Sequence, residues 1–429
     1  MWSRLPALCR PRAAAPGVSL VRVRLVTWFR EGTRRAGFGV VAVAFTVAVA
    51  FSTVPTPLYP LYERRDGFGA FTVTVVFAVY AVGVVAGLVF AGHLSDRAGR
   101  RPVLVAALLS EVAAASLFLA WPALPGLLAA RFVTGLGVGT ATPTATAYLQ
   151  DLHARARPGE GPGRFETVSS AANICGLGVG PLVAGLLAAY APAPVRTPYA
   201  VFAVLLATAA GLVLALPETV ARPARPSPYR VQRVRVHGGP VLFGRAVACA
   251  WSGLAVFGLF TSLAPGFVAT ALHQDSPAVA GSIVFGVFAA AVLGELLSAP
   301  LRPAAREAMG VAAEAVGCGA VAAGMVTGDP ALFVAGGAVA GLGAGTLFKA
   351  AVALVAGSAP EDVRAEALAT FFLAAYTGLV VTSLGLGVAA QLSSPATATL
   401  WFSGYLALLL AAVVLVGHAD RASGPPHPV

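Results

Sequence analysis

The sequence predicts an all-α integral membrane protein, with twelve transmembrane helices in two pseudo-symmetric six-helix bundles. Three observations carry this. First, hydrophobic residues make up 58% of the 429 residues and charged residues 11%, against about 25% charged in soluble domains. A chain this apolar cannot cover its own core with polar surface, so lipid is part of its solvent. Second, the apolar residues fall in continuous runs of span length, whereas a transmembrane β-strand alternates. Third, the basic residues collect on one side of those runs. A large soluble enzyme domain, a coiled coil and a disordered chain are excluded together.

Residues 1–36 carry eight arginines. The apolar stretch that follows is span-length and has no small-residue cleavage site, so the segment reads as a basic cytoplasmic tail and not as a secretory signal. Spans are expected near 37–60, 71–92, 102–120, 124–149, 167–190, 199–216, 241–267, 278–297, 304–326, 331–356, 365–390 and 396–416. At such lengths in lipid only helices satisfy their own backbone groups. Residues 217–240, rich in Pro and Arg, form a cytoplasmic central loop between bundles 37–216 and 241–416, and 417–429 form a cytoplasmic C-terminal tail.

With the N-terminus inside, inner segments, together with Arg306 at the inner end of the ninth span, hold 23 of the 29 basic residues. Outer loops hold Arg64, Arg65 and Arg196; Arg131, Arg245 and Lys349 lie within spans. The positive-inside rule then places both termini in the cytoplasm of a cell-membrane protein. The net charge of +11 reads as orientation, not as a nucleic-acid surface. The four cysteines (9, 175, 249 and 318) are far apart and form no disulfide framework.

The halves carry traces of duplication. Gly135-Leu136-Gly137-Val138-Gly139 in helix 4 is matched by Gly341-Leu342-Gly343-Ala344-Gly345 in helix 10, and Glu111 in helix 3 by Glu314 in helix 9. Duplicated halves around a midplane site are the architecture of secondary transporters.

The loop after helix 2 reads Gly92-His93-Leu94-Ser95-Asp96-Arg97-Ala98-Gly99-Arg100-Arg101-Pro102. It resembles the signature of the major facilitator superfamily, G-x-L-x-D-R-x-G-R-R. Gly92 and Gly99 permit a tight turn, Asp96 suits the positive end of another helix, and Arg97, Arg100 and Arg101 suit carboxylates or lipid phosphates. A merely topogenic loop would not need the glycines or Asp96. Gly294-Glu295-Leu296-Leu297-Ser298-Ala299-Pro300-Leu301-Arg302 reads as a decayed copy in the second half. Arg131, with Gly135 and Gly139 on its face, resembles the family's R-x-x-x-G motif. An intramembrane arginine either faces a cavity or partner, or snorkels outward. Gly176, Gly180, Pro181 and Gly185 in helix 5 resemble G-x-x-x-G-P-x-x-G-G, a pattern of the antiporter branches, with Ala184 replacing one glycine. Pro55-Thr56-Pro57-Leu58-Tyr59-Pro60 resembles another drug-antiporter element, although helix 1 has no acidic residue.

The resemblance, covering about residues 37–416, implies a secondary transporter that works by alternating access. Proton-coupled efflux of small organic molecules is expected. The alternatives are a proton symporter for uptake and, from another class, a non-transporting receptor or integral membrane enzyme. It also implies that helices 1, 4, 7 and 10 line the path, with Tyr59, Arg131, Trp251 and Phe348 as cavity candidates, and that the Asp96 loop meets the start of helix 11 near Ala365. Glu111 and Glu314, flanked by small residues, face protein and are coupling candidates or structural acids; an apolar setting makes a carboxyl hold its proton more readily. Lys349, near the inner end of helix 10, reads as a snorkelling lysine. No catalytic, cofactor or metal residues are expected. The six histidines fall in loops, tails or helix ends, and Phe348 stands where a phosphate loop ending at Lys349 needs glycine. The expected partners are a small-molecule substrate, protons and lipid, without nucleic acid, and the expected state is a monomer.

Overall fold

The computed structural model describes residues 36–91, 94–161, 163–220, 236, 239–262, 264–270, 275–360 and 364–423; the basic tail, most of the central loop, Gly92 and the last six residues lie outside them. Among the described residues, twelve helices are long and apolar enough to cross a membrane: α1 Ala36–Asp66, α2 Phe71–Phe90, α3 Arg100–Ala120, α4 Leu124–Ala156, α5 Arg164–Tyr190, α6 Thr197–Leu214, α7 Pro240–Ser262, α8 Pro277–Leu297, α9 Pro303–Thr327, α10 Pro330–Ser358, α11 Thr370–Leu392 and α12 Ala396–Ala419. No strand occurs among the described residues.

Several ends differ from the sequence expectation, each for a local reason. Helix 1 continues past Pro60 to Asp66 through a 3₁₀ turn at Thr56–Leu58; Pro55, Pro57 and Pro60 supply no N–H, so the regular ladder loosens there without ending. Helix 4 runs on to Ala156 and the last helix to Ser423, into the expected C-terminal tail. A helix needs apolar side chains only where lipid surrounds it. Helix 7 is described to Ser262, and helix is described again over Ala264–Thr270, past the expected end at 267.

One apolar core lies wholly within residues 41–216. The other occupies α7–α12 and also takes in Phe77, Tyr80, Ala81 and Val84 of α2, Val138 of α4 and Ile174 of α5. Successive spans alternate in direction, so one face carries the Asp96 loop, the start of α5 and the end of α8. This is the basic face; the other is the opposite face.

The repeat is visible as backbone contact. A Cβ at Gly135 would lie 2.1 Å from the Tyr80 carbonyl oxygen, and one at Gly139 would lie 2.3 Å from that of Val84. In the second bundle a Cβ at Gly341 would lie 2.3 Å from the Val287 oxygen, and one at Gly345 would lie 2.2 Å from the Ala291 oxygen. Helices α4 and α10 therefore seat α2 and α8 backbone against backbone, as small residues allow in membranes. Gly87 faces the Leu136 oxygen, and Gly294 faces that of Leu342. Gly294 thus plays the part of Gly87, and the decayed copy of the loop is out of register with the packing: its glycine belongs inside α8.

Candidate functional site

Arg131 is 1% exposed and does not snorkel. Its Nη1 donates to the Ser52 carbonyl oxygen at 2.5 Å, close to where α1 leaves the regular helix. The guanidinium lies 4.3 Å from the Tyr80 ring centroid and 5.9 Å from that of Phe77 on α2, a cation–π arrangement worth about 2 kcal/mol when desolvated. Tyr59 and Glu111 lie within its electrostatic reach. Glu111 is 0% exposed; Gly137 of α4 makes room for it, since a Cβ there would sit 2.6 Å from Oε1. Among the described residues, Arg131 Nε, Tyr59 Oη and both Glu111 carboxylate oxygens meet no hydrogen-bond partner. A cation, a carboxyl and a phenol on three helices therefore share one buried region with donors and acceptors to spare. Such a set can take up a proton or a polar group.

The second bundle keeps the acid but not the cation. Glu314 is 0% exposed; Ser252 Oγ donates to its Oε2 at 3.4 Å, and Oε1 has no partner among the described residues. A Cβ added at Gly343 of α10 would lie 2.3 Å from the Glu314 backbone N, so Gly343 admits the α9 backbone at this acid, whereas Gly137 makes room for the Glu111 carboxyl itself. Gly337 of α10 takes the place of Arg131 in the repeat and meets the Phe260 ring. Trp251 donates from Nε1 to Thr382 Oγ1 at 3.1 Å and lays its ring on Gly378. Phe348 stands 6.2 Å from the Phe372 ring. Both side chains pack on α11, whereas Tyr59 lies with Arg131 in the first bundle. Lys349 is half-buried, and its Nζ donates to the Glu295 carbonyl oxygen near the basic-face end of α8 at 3.0 Å.

In the basic-face loop, Asp96 pairs with Arg100 in its own bundle, and its side chain is 61% exposed. Arg97 is half-buried. Residues 361–363 and the side chains of 364–366, where the expected meeting with the start of helix 11 near Ala365 would fall, lie outside the described residues. Gly99 has φ 101°, and a Cβ there would strike Glu218 Oε2 at 2.4 Å; glycine is required on both counts. Arg100 also reaches Ser95 Oγ at 2.7 Å and Asp151 Oδ2 at 3.3 Å. Arg101 donates to the Leu216 carbonyl oxygen at 3.1 Å.

Glu218 is the member that sequence reasoning missed. The residue before α3, Gly99, has no side chain with which to cap it. Instead Glu218 accepts from the Arg100 and Arg101 amides at 3.0 and 3.1 Å and from those of Thr219 and Val220 at 2.8 and 3.0 Å. Partial burial pushes its carboxyl upward, but the four amides outweigh that and hold it below the usual range. The available signal was an acid set directly after the last apolar residues of helix 6, before a run of arginines. A lowered folded value means that its stabilisation is present above about pH 4.3, the unfolded value, and is lost as pH falls through the folded value. We expect Glu218→Gln to speed hydrogen exchange at the Arg100 and Arg101 amides by up to about ten-fold, the scale of a lost hydrogen bond. Acid should do the same to the wild type and add nothing in the variant; equal exchange in both would refute the capping role.

In α5, Gly176 lies against Thr46 and Val49, and Gly180 against the Ala50 carbonyl oxygen, 2.0 Å from an added Cβ, all on α1. A Cβ at Gly185 would lie 2.3 Å from the Pro277 oxygen, and one at Gly281 would lie 2.2 Å from the Pro181 oxygen, which joins α5 to α8. The motif thus seats α5 on its own bundle along one side and on the other bundle along the other.

Residues 41–303 match the family described as Major Facilitator Superfamily. The chain is 29% identical over 160 residues to the bacillibactin exporter of Bacillus subtilis, covering 33% of this chain and 39% of that one. It is 35% identical over 77 residues to the multidrug resistance protein MdtL of Klebsiella pneumoniae, covering 18% and 20%. The chain thus spans well under half the length of these curated relatives. The xylose transporter XylE from E. coli superposes with a TM-score of 0.66 at 15% identity, covering 90% of this chain and 97% of that one; likeness at that identity shows the fold alone.

Proposed function

Because the chain belongs to the Major Facilitator Superfamily, we propose that it is a secondary active transporter that exports small organic molecules in exchange for protons by alternating access. The observation that carries this reading is the Arg131–Glu111–Tyr59 region. An arginine in the bilayer costs about 2.5–3.5 kcal/mol on insertion scales, and a buried carboxyl beside it with no donor adds to that cost. Charge kept at such expense inside a duplicated bundle serves something other than packing. The second bundle, with Gly337 in the equivalent place, folds without the cation.

In this reading Arg131 and Glu111 exchange a proton-dependent contact during the cycle, and Glu314 is the second acid that can carry a proton. Tyr59, Trp251 and Phe348 lie toward the path. The chain divides into a basic tail (1–36), a first bundle (37–216), a central loop (217–240), a second bundle (241–416) and a short tail, with the basic face in the cytoplasm of the cell membrane. The Asp96 loop gates that face. The protein acts as a monomer that moves its substrate without chemically changing it. Efflux, in place of uptake, is supported by the Gly180-Pro181 motif and by the names of the two relatives, an exporter and a multidrug resistance protein.

The test is flux in proteoliposomes under an imposed pH gradient, with a panel of organic cations, anions and neutral solutes. The gradient should drive accumulation of at least one solute. Glu111→Gln or Glu314→Gln, whichever removes the coupling acid, should cut gradient-driven flux by at least about ten-fold while solute exchange without the gradient persists. If neither variant separates the two modes, both acids are structural.

A further inference from the structure

A side-chain hydrogen bond crosses the seam between the bundles close to the basic face. Ser170 Oγ on α5 donates to Glu295 Oε2 on α8 at 2.6 Å. Glu295 is 7% exposed. Lys349 of α10 grips the backbone of the same residue at 3.0 Å, and its charge lies within reach of the carboxylate. A buried carboxylate is thus held from one side by its own bundle and from the other by a hydroxyl of the opposite bundle.

The internal repeat shows that this is an addition to the scaffold. With Gly294 in the place of Gly87, Glu295 stands where Leu88 stands in the first bundle. Lys349, four residues after Gly345, stands where Pro143 stands four residues after Gly139. Leu88 is half-buried against the apolar core that α2 shares with the second bundle. At the matching place of the repeat, α2 carries an aliphatic side chain, whereas α8 meets the other bundle through a carboxylate with a countercharge nearby. Packing alone is served by the first solution. Burying a charged group is costly for stability. A polar bond has one property that an aliphatic contact lacks: it is made or unmade over less than an ångström, so it divides closed from open sharply.

We propose that Glu295 is a positioning residue of the transport cycle, whose carboxylate clasps Ser170 while the basic-face mouth is shut and releases it when that mouth opens. Lys349 fixes the α8 backbone and supplies the countercharge, so that the carboxylate can be spent on the opposite bundle. Nearer the opposite face the same two helices touch through backbone, Gly185 on Pro277 and Gly281 on Pro181, which leaves a smooth surface about which they can rock. The inference rests on the alternating-access reading, but its readout does not need a substrate.

The experiment is hydrogen exchange by mass spectrometry on the full chain in lipid nanodiscs, following residues 164–172 and 290–298 at the basic-face mouth and 184–190 and 277–283 at the other. Ser170→Ala should raise exchange at the first pair about ten-fold, the scale of one lost bond to a charged group, and lower it at the second. Glu295→Gln keeps an acceptor and loses the charge, so its shift should be in the same direction and smaller. Ser170→Thr should restore the wild-type pattern, and Ser170→Ala with Glu295→Gln should do no more than Ser170→Ala alone. Unchanged exchange in Ser170→Ala, or equal acceleration at both mouths, would overturn the clasp. Absence of gradient-driven flux in the wild type would count against the transport reading, whereas the clasp stands or falls on the exchange pattern.

Discussion

Arg131→Ala is expected to abolish gradient-driven transport, by at least about 100-fold, while the protein still inserts and stays folded. The substitution removes a charge that resists insertion, so accumulation in the membrane should not fall. What it takes away is a bridge among three helices: the bond to the Ser52 carbonyl of α1, the stacking on Tyr80 of α2 and the positive field over Glu111 of α3. Truncating one member of a buried charged set costs about 2–5 kcal/mol, and ~2.7 kcal/mol lost from one step is about 100-fold in its rate. Arg131→Lys keeps the charge but loses the planar fork that bonds and stacks at once; it should retain partial activity. Wild-type transport by the alanine variant, measured in proteoliposomes beside an equal amount of parent protein, would remove Arg131 from the mechanism.

The second large effect concerns assembly. Gly135→Val should leave little folded protein in the membrane. An added Cβ would lie 2.1 Å from the Tyr80 carbonyl oxygen, 2.8 Å from the Val84 amide and 2.9 Å from Gly83 Cα. All three are backbone atoms of α2, so no side-chain rotation relieves the clash and the two helices must part. Overpacking costs about 1–3 kcal/mol where side chains can give, and backbone against backbone belongs at or above the upper end. Separating the pair would also pull Tyr80 from Arg131, so any surviving protein should be inactive. Gly211→Val is the control: nothing lies within 4 Å of its added Cβ, and it should behave as wild type in detergent thermal unfolding. A Gly135→Val protein as stable as the control would show that α2 and α4 are not in close contact.

The span count, the helical class and the sidedness of the basic residues were legible in the sequence because lipid makes them local properties. Each span must bond its own backbone and present apolar side chains over a fixed length, so a run of about 20 residues declares itself without reference to any other. The glycines of helices 4, 5 and 10 were legible too, since close helix approach leaves few other residues possible. Which way a side chain turns was not. Protein-facing and lipid-facing surfaces are equally apolar here, so the sequence left Arg131 between a cavity and the lipid surface and read Lys349 as snorkelling. The tertiary structure settled Arg131 through its contacts with Ser52 and Tyr80, and gave Lys349 a partner in the Glu295 carbonyl, all on other helices. The register of the repeat was hidden for the same reason: Gly294 aligns by motif with a loop glycine and by packing with Gly87, and only the Leu342 carbonyl tells them apart. Glu218 capping α3, and Ser170 reaching Glu295, join residues more than a hundred positions apart. Such pairs are decided by how bundles pack, because hydrogen bonds act over about 3 Å and nothing in a linear pattern reports which distant groups come that close.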